Sequence, residues 1–188
     1  MTKSRFDRNE VIDKAIELFW KNGFTASSMQ QVVKTTGLKP GSIYLAFGNK
    51  EGLFREALES YAKKSIAYIR NLLDTAPSIG DGICALFEAF IKDSTRNNYN
   101  SCFLIKTRLE LAAERGELHD YASAKLDEVE ALFKSYLERE YDNNISQQRA
   151  ASIMLHIFGI RVYGYQQDSA DRMRKELREG LPWLPWPA

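Results

Sequence analysis

Through almost the whole of this chain apolar residues return every three or four positions, and nowhere do they alternate at every second one. That period gathers them on one side of an α-helix, whereas a half-buried strand needs a period of two. From Arg8 to Asn22 the apolar set is Val11, Ile12, Ala15, Ile16 and Phe19, with Asp13, Lys14, Glu17 and Lys21 opposite. Gly23 fits the position just past a helix end. Ser28 fits an N-cap, with Gln31 three residues on to close a capping box, and the short helix it opens stops at Gly37. Pro40 suits the first position of a third short helix carrying Ile43, Tyr44 and Phe47, because its missing N–H costs nothing there. Asn49 caps a long fourth helix whose buried side is Leu53, Phe54, Ala57, Leu58, Tyr61, Ile69, Leu72 and Leu73, and the stretch from Asp74 to Gly82 is expected to break it. Further helices are expected over about 83–95, 102–114, 117–141, 147–168 and 171–180, giving an all-α fold of about nine helices.

One of these differs from the rest. Between Gln147 and Gln167 the residues Ile153, Met154, Leu155, Ile157, Phe158, Ile160, Val162, Tyr163 and Tyr165 surround the helix, so it must be covered on both sides. Its own core covers one side; a second copy of the chain would cover the other, and a central position in a monomeric bundle is the alternative. The tail Leu181-Pro-Trp-Leu-Pro-Trp-Pro-Ala188 holds three prolines and two tryptophans, which excludes a helix. It is expected to pack as an extended cap, with a polyproline recognition segment as the other reading.

The net charge of +1 hides an asymmetry. Residues 1–50 carry eight Lys or Arg against four Asp or Glu, and the remainder 18 against 21. Between Ser28 and Lys50 lie Lys34, Lys39 and Lys50 and no acid, a condition that suits a phosphate backbone as well as an ordinary solvated face. No run approaches the roughly 18 apolar residues of a membrane span, and the opening Met1-Thr-Lys-Ser-Arg has no apolar leader core, so neither a membrane anchor nor a signal peptide is expected and the cytoplasm is the expected compartment. With Cys84, Cys102, His119 and His156 as the whole complement of thiols and imidazoles, neither a disulfide framework, a metal site nor a cofactor is expected.

A supporting helix, a short helix, a turn at Gly37-Leu-Lys-Pro40 and a second short helix are the parts of a helix-turn-helix, whose second short helix reads the major groove of DNA. The pattern Gly23-Phe24, Ser27-Ser28-Met29, Val32-Val33, Gly37-Leu38, Gly41-Ser42-Ile43-Tyr44, Phe47, Asn49-Lys50-Glu51 and Leu53, continuous over roughly 7–55, resembles the signature of the tetracycline-repressor (TetR) family. The resemblance implies a DNA-binding domain over residues 1–50 and a helical ligand-binding and dimerisation domain over 51–188. It assigns Ser28, Tyr44 and Lys50 to phosphates, and Pro40, Gly41 and Ser42 to base edges, with Lys39 beside them able to reach a guanine or a phosphate. Two residues depart from the family pattern. Lys39 stands where Ser or Thr often caps the third helix, and Ala46 where Tyr or His often helps to grip the backbone.

The resemblance further implies a homodimer, a double-stranded operator as partner, and a small-molecule effector that releases the DNA. Phe87, Phe90, Phe103, Phe133, Tyr136 and Phe158 lie on expected inward faces as pocket or plain core, and His156 and Arg161 are the conspicuous polar residues of the eighth helix. Cys102, at the expected start of the sixth helix with Lys106 nearby, is either a small buried hydrophobe or an electrophile- or redox-sensitive thiol. An all-helical enzyme and a helical adaptor are the rival classes. No paired carboxylates, Ser-His-acid set or ligand cluster supports the first, and the lysine and glycine placement over 28–50 speaks against the second.

Overall fold

A computed structural model describes residues 6–187; the opening residues read above for a leader, and Ala188 at the end of the tail, lie outside that range. Among the described residues the regular elements are nine helices: α1 (Arg8–Asn22), α2 (Met29–Thr36), α3 (Pro40–Phe47), α4 (Lys50–Thr75), α5 (Ile79–Ser94), α6 (Phe103–Glu110), α7 (Glu117–Leu137), α8 (Asn143–Tyr163) and α9 (Ala170–Gly180).

The first four follow from local chemistry. Asp7 accepts the amides of Asn9 and Glu10 at the head of α1. Ser28 and Gln31 form the reciprocal capping box of α2, with N–H···O distances of 3.2 and 2.7 Å. Asn49 caps α4 by accepting from Gly52. Gly37 closes α2 at φ 74°, a left-handed conformation that glycine adopts without a Cβ clash, and this sets the angle at which α3 leaves. Lys39, at the N-cap of α3, makes no side-chain capping bond, and Pro40 alone marks that start.

Helix α4 joins the two halves: it packs on α1 and α3 and also on α5, α6 and α7. The seam is aromatic. Phe54 and Tyr61 of α4 meet Phe19, Trp20 and Phe24 from the first half and Phe103 of α6, with ring centroids 4.8–5.7 Å apart and near edge-to-face. Such pairs contribute about 0.5–1.5 kcal/mol each beyond the area they bury. Phe19, Phe54 and Phe103 are among the largest fully buried side chains, so the core runs unbroken from the helix-turn-helix into the second half.

The structure corrects several expected boundaries. The break after α4 spans only three residues, and α5 begins at Ile79 with Ser78 as its cap, accepting from Asp81 at 3.1 Å. Gly82 lies inside α5, because a Cβ there would stand 3.1 Å from the Leu72 carbonyl oxygen and the Leu73 Cα. That glycine serves close helix packing instead of a turn. Asp142, expected in a separator, caps α8 by accepting from Ile145 at 2.9 Å, so α8 starts four residues early; it ends at Tyr163, which leaves Tyr165 outside it. Helices α6 and α7 stop at Glu110 and Leu137, each followed by turns. Tyr61 and Leu72 are half-buried. The tail coils in turns over α5, its hydrogen bonds running from Leu184 N–H to Leu181 and from Trp186 N–H to Leu184; Leu181 and Leu184 are buried and Trp186 lies 6.0 Å from Phe87.

Candidate nucleic-acid interface

Ile43 and Phe47 anchor α3 in the core, which turns its other side outward. Lys39, Pro40, Gly41 and Tyr44 are exposed there and Ser42 is half-buried, so the N-terminal turn of the helix is open to a groove. Leu45 is 91% exposed beside them. The sequence reading passed over Leu45, yet its signal is plain: with Ile43 and Phe47 inward at helical spacing, position 45 must face out. A large apolar side chain held in water on the reading helix suits contact with a thymine methyl.

Ser28 is exposed at the head of α2, and its oxygen accepts from Gln31, which leaves the hydroxyl proton to donate. The first amides of α2 point the same way, a cradle for a phosphate. Lys50 does two things at once. Its ammonium donates to the carbonyls of Phe24 and Ser27 at 2.9 and 3.0 Å and lies 4.1 Å from the centre of the Phe24 ring. An ammonium has three donors, so one remains for a phosphate while the other two tie α4 to the α1–α2 turn. That turn is also held from α6: Glu110 accepts from the amides of Phe24 and Thr25 at 3.1 and 2.8 Å. Lys106 donates to the Trp20 carbonyl and, at 2.7 Å, to Asn100, while the Trp20 indole donates to the Ser101 carbonyl.

A cavity of about 770 Å³ lies between α1, α4, α5, α6, α7 and α8. Of the eight residues expected in a pocket, the structure brings Phe90 and Cys102 into this wall, together with Trp20, Tyr61 and Arg161. His156 instead lines a groove of about 620 Å³ between α8 and α9. Phe103 and Phe133 are buried in the core, Phe87 packs on Trp186, Tyr136 donates to Asp74, and Phe158 is half-buried beneath the Arg108 guanidinium. The contribution of α1 to the cavity, through Asp13, Ile16, Glu17 and Trp20, had no sequence signal, because Ile16 already serves the helix-turn-helix core. The outer face of α8 carries Leu155 at 73% and Val162 at 53% exposure. No helix of the described residues is long and apolar enough to cross a membrane, and they hold no cluster of three or more candidate metal ligands.

Known proteins share this arrangement. The model of bacterial regulatory proteins of the tetR family matches residues 11–57. The transcriptional repressor ComR of Escherichia coli is 30% identical over 134 residues, a match covering 70% of this chain and 64% of ComR. IcaR of Staphylococcus epidermidis, a negative transcriptional regulator of a biofilm operon, is 25% identical over 72% of this chain and 69% of its own length. The solved TetR-family regulator CifR, a cysteine mutant bound to 26 base pairs of operator DNA, superposes with a TM-score of 0.80 at 27% identity, covering 98% of this chain and all of that one. Its helix-turn-helix, the nine helices of the described residues and these likenesses together place the chain in the TetR family of bacterial regulatory proteins, a family of DNA-binding transcriptional regulators.

Proposed function

We propose that this protein is a cytoplasmic, homodimeric repressor whose α3 helices enter successive major grooves of a palindromic operator, and which a small molecule in the cavity releases from DNA. The outward face of α3 carries the reading: Lys39, Pro40, Gly41, Tyr44 and Leu45 stand exposed on a segment that holds no acid from Ser28 to Lys50. Residues 1–50 serve the DNA, with Ser28, Lys39, Tyr44 and Lys50 on phosphates and Pro40, Gly41 and Ser42 at the bases. Residues 51–188 serve the effector and the partner copy. The exposed Leu155 and Val162 on α8 and the adjoining α8–α9 groove supply a self-complementary face for a two-fold dimer.

The cavity can act on DNA through two routes. Tyr61 and Ile69 of α4 line it, and α4 begins at Lys50; Ile16 and Trp20 of α1 line it too, and α6 clamps the α1–α2 turn through Glu110 and Lys106. An occupant that spreads these walls favours dimers in which the two α3 helices no longer lie about 34–36 Å apart, one DNA turn. Cys102, in the same wall, supports a second input, in which covalent capture by an electrophile replaces binding. Changing Cys102 to Ser then abolishes release by quinones while leaving operator affinity unchanged.

Genomic fragments retained by the purified protein test the reading. Recovery of a palindromic site, lost when Tyr44 and Lys50 are both changed to Ala, supports it; absence of enrichment at low salt refutes it.

A further inference from the structure

The cavity wall is largely apolar, with Ile16, Trp20, Ile69, Phe90, Ile105 and Met154 among its residues, and its charged groups are unequally placed. Lys64, with its side chain 64% exposed, pairs with Asp13 at 2.6 Å, and Arg96, 74% exposed, pairs with Asp93 at 3.2 Å. Lys92 and Glu17 complete the set. Arg161 is the exception, for its side chain is only 10% exposed and its guanidinium lies 3.8 Å over the Phe90 ring. Nη1 donates to Asp93 at 3.0 Å, while Nε is buried with no hydrogen-bond partner among the described residues.

Glu17 is exposed to water, and the buried charge of this wall has one sign. Asp93 serves two guanidinium groups and Asp13 is taken by Lys64, so a cationic ligand would find these acids engaged. A purely apolar ligand would leave the buried Nε–H of Arg161 unmet, an arrangement that folded proteins avoid. Tyr61 shares the wall, and burial drives its phenol well above its ordinary range, so it stays a neutral O–H donor. The volume falls within the span of about 300–1,000 Å³ typical of small-molecule sites.

We propose that the effector is a hydrophobic monoanion, an aromatic or alicyclic carboxylate whose head accepts from Arg161 while its ring system lies against Trp20, Phe90 and Met154. This rests on the reading of the cavity as the effector site and names the chemistry that would occupy it. Asp93 then acts as the resident counter-ion that the ligand carboxylate supplements or displaces.

Calorimetric titration of the full-length protein with three probes of one shape tests the assignment: 2-naphthoate, the neutral 2-naphthamide and the cationic 2-naphthylmethylammonium. The expected order is naphthoate at least about tenfold tighter than the amide, the difference one charge-assisted hydrogen bond makes, with the ammonium weakest. Arg161→Gln abolishes the preference for the anion while keeping amide binding. Asp93→Asn, which keeps the guanidinium and removes its competitor, strengthens naphthoate binding and covers the case in which Arg161→Gln does not fold. Equal binding of acid and amide, a preference unchanged in Arg161→Gln, tightest binding of the ammonium, or no binding of any probe at millimolar concentration would overturn the proposal. Retention of palindromic DNA is scored in the same preparations without probe. Failure of the ligand assignment with DNA binding intact therefore leaves the regulator reading standing, and loss of DNA binding counts against that reading alone.

Discussion

Among the polar contacts that hold α4 against α7, the cluster around Glu59 has a pH response set by its geometry. Glu59 of α4 accepts from the Tyr121 hydroxyl and pairs with Lys125 at 3.2 Å, both on α7, and with Lys63 at 3.1 Å on its own helix. The Tyr121 hydrogen bond is the largest of several causes that lower the Glu59 carboxyl from 4.5 to about 2. Seen from the partner, burial and then the same carboxylate raise the Tyr121 phenol to about 12, a displacement of similar size. At about 1.4 kcal/mol per pH unit the Glu59 displacement sets a ceiling of about 3.5 kcal/mol. The side chain is 30% exposed, and solvent screening reduces this to about 1 kcal/mol. Because the folded state depresses this carboxyl, its contribution is complete above pH 4.5 and disappears as the pH falls toward 2. Glu59→Gln therefore lowers stability by about 1 kcal/mol at pH 7, and the gap from wild type narrows steadily below pH 4.5. Urea unfolding at pH 7, 4.5 and 3, at one fixed protein concentration because a dimer's midpoint depends on it, reads the effect. A gap that stays constant over this range, or that is absent at pH 7, would falsify the linkage and with it the view that this cluster braces α4 on α7.

Four further outcomes follow from the geometry. Gly37→Ala forces a Cβ into the left-handed turn at φ 74°, with nothing within 4 Å to clash, so the cost is conformational alone, about 1 kcal/mol in thermal unfolding, and operator affinity falls with the misdirected α3. Leu45→Ala, at a side chain 91% exposed, leaves the melting temperature unchanged and relaxes base preference at one operator position, whereas Lys39→Ala weakens binding to all sequences and reduces the slope of log K against log salt by about 1; a melting temperature that drops in the leucine variant would place Leu45 in the fold instead. Leu155→Glu puts a charge on the outer face of α8, and sedimentation should then show monomers and lost operator binding without loss of helix content; a dimer that persists would move the interface elsewhere.

What could be read in advance was what the chain decides locally. Ser28 with Gln31, Gly37, Pro40 and Asn49 each act within four residues of themselves, and each sits at the helix boundary its chemistry requires. Gly82 and Asp142 misled for the opposite reason. The glycine is there because α5 crosses α4 closely at Leu72 and Leu73, a contact no local window contains, and an Asp-Asn-Asn run marks a helix start or a loop equally well until the helix behind it is placed. The cavity was the least legible part. Arg161 stood out as a lone charge on an apolar helix, but its meaning depends on Asp93, 68 residues away, and on the Phe90 ring, both delivered by α5. Trp20 had no marker at all: it belongs to the helix that supports the DNA reader, yet it lines the cavity and bonds the start of α6. On the proposed function, that double placement offers a second route from cavity to DNA beside α4. A Trp20→Phe variant, which keeps the ring and loses the indole donor to Ser101, should bind operator as before and respond less to whatever fills the cavity; an undiminished response in DNA release would return the whole of the coupling to α4.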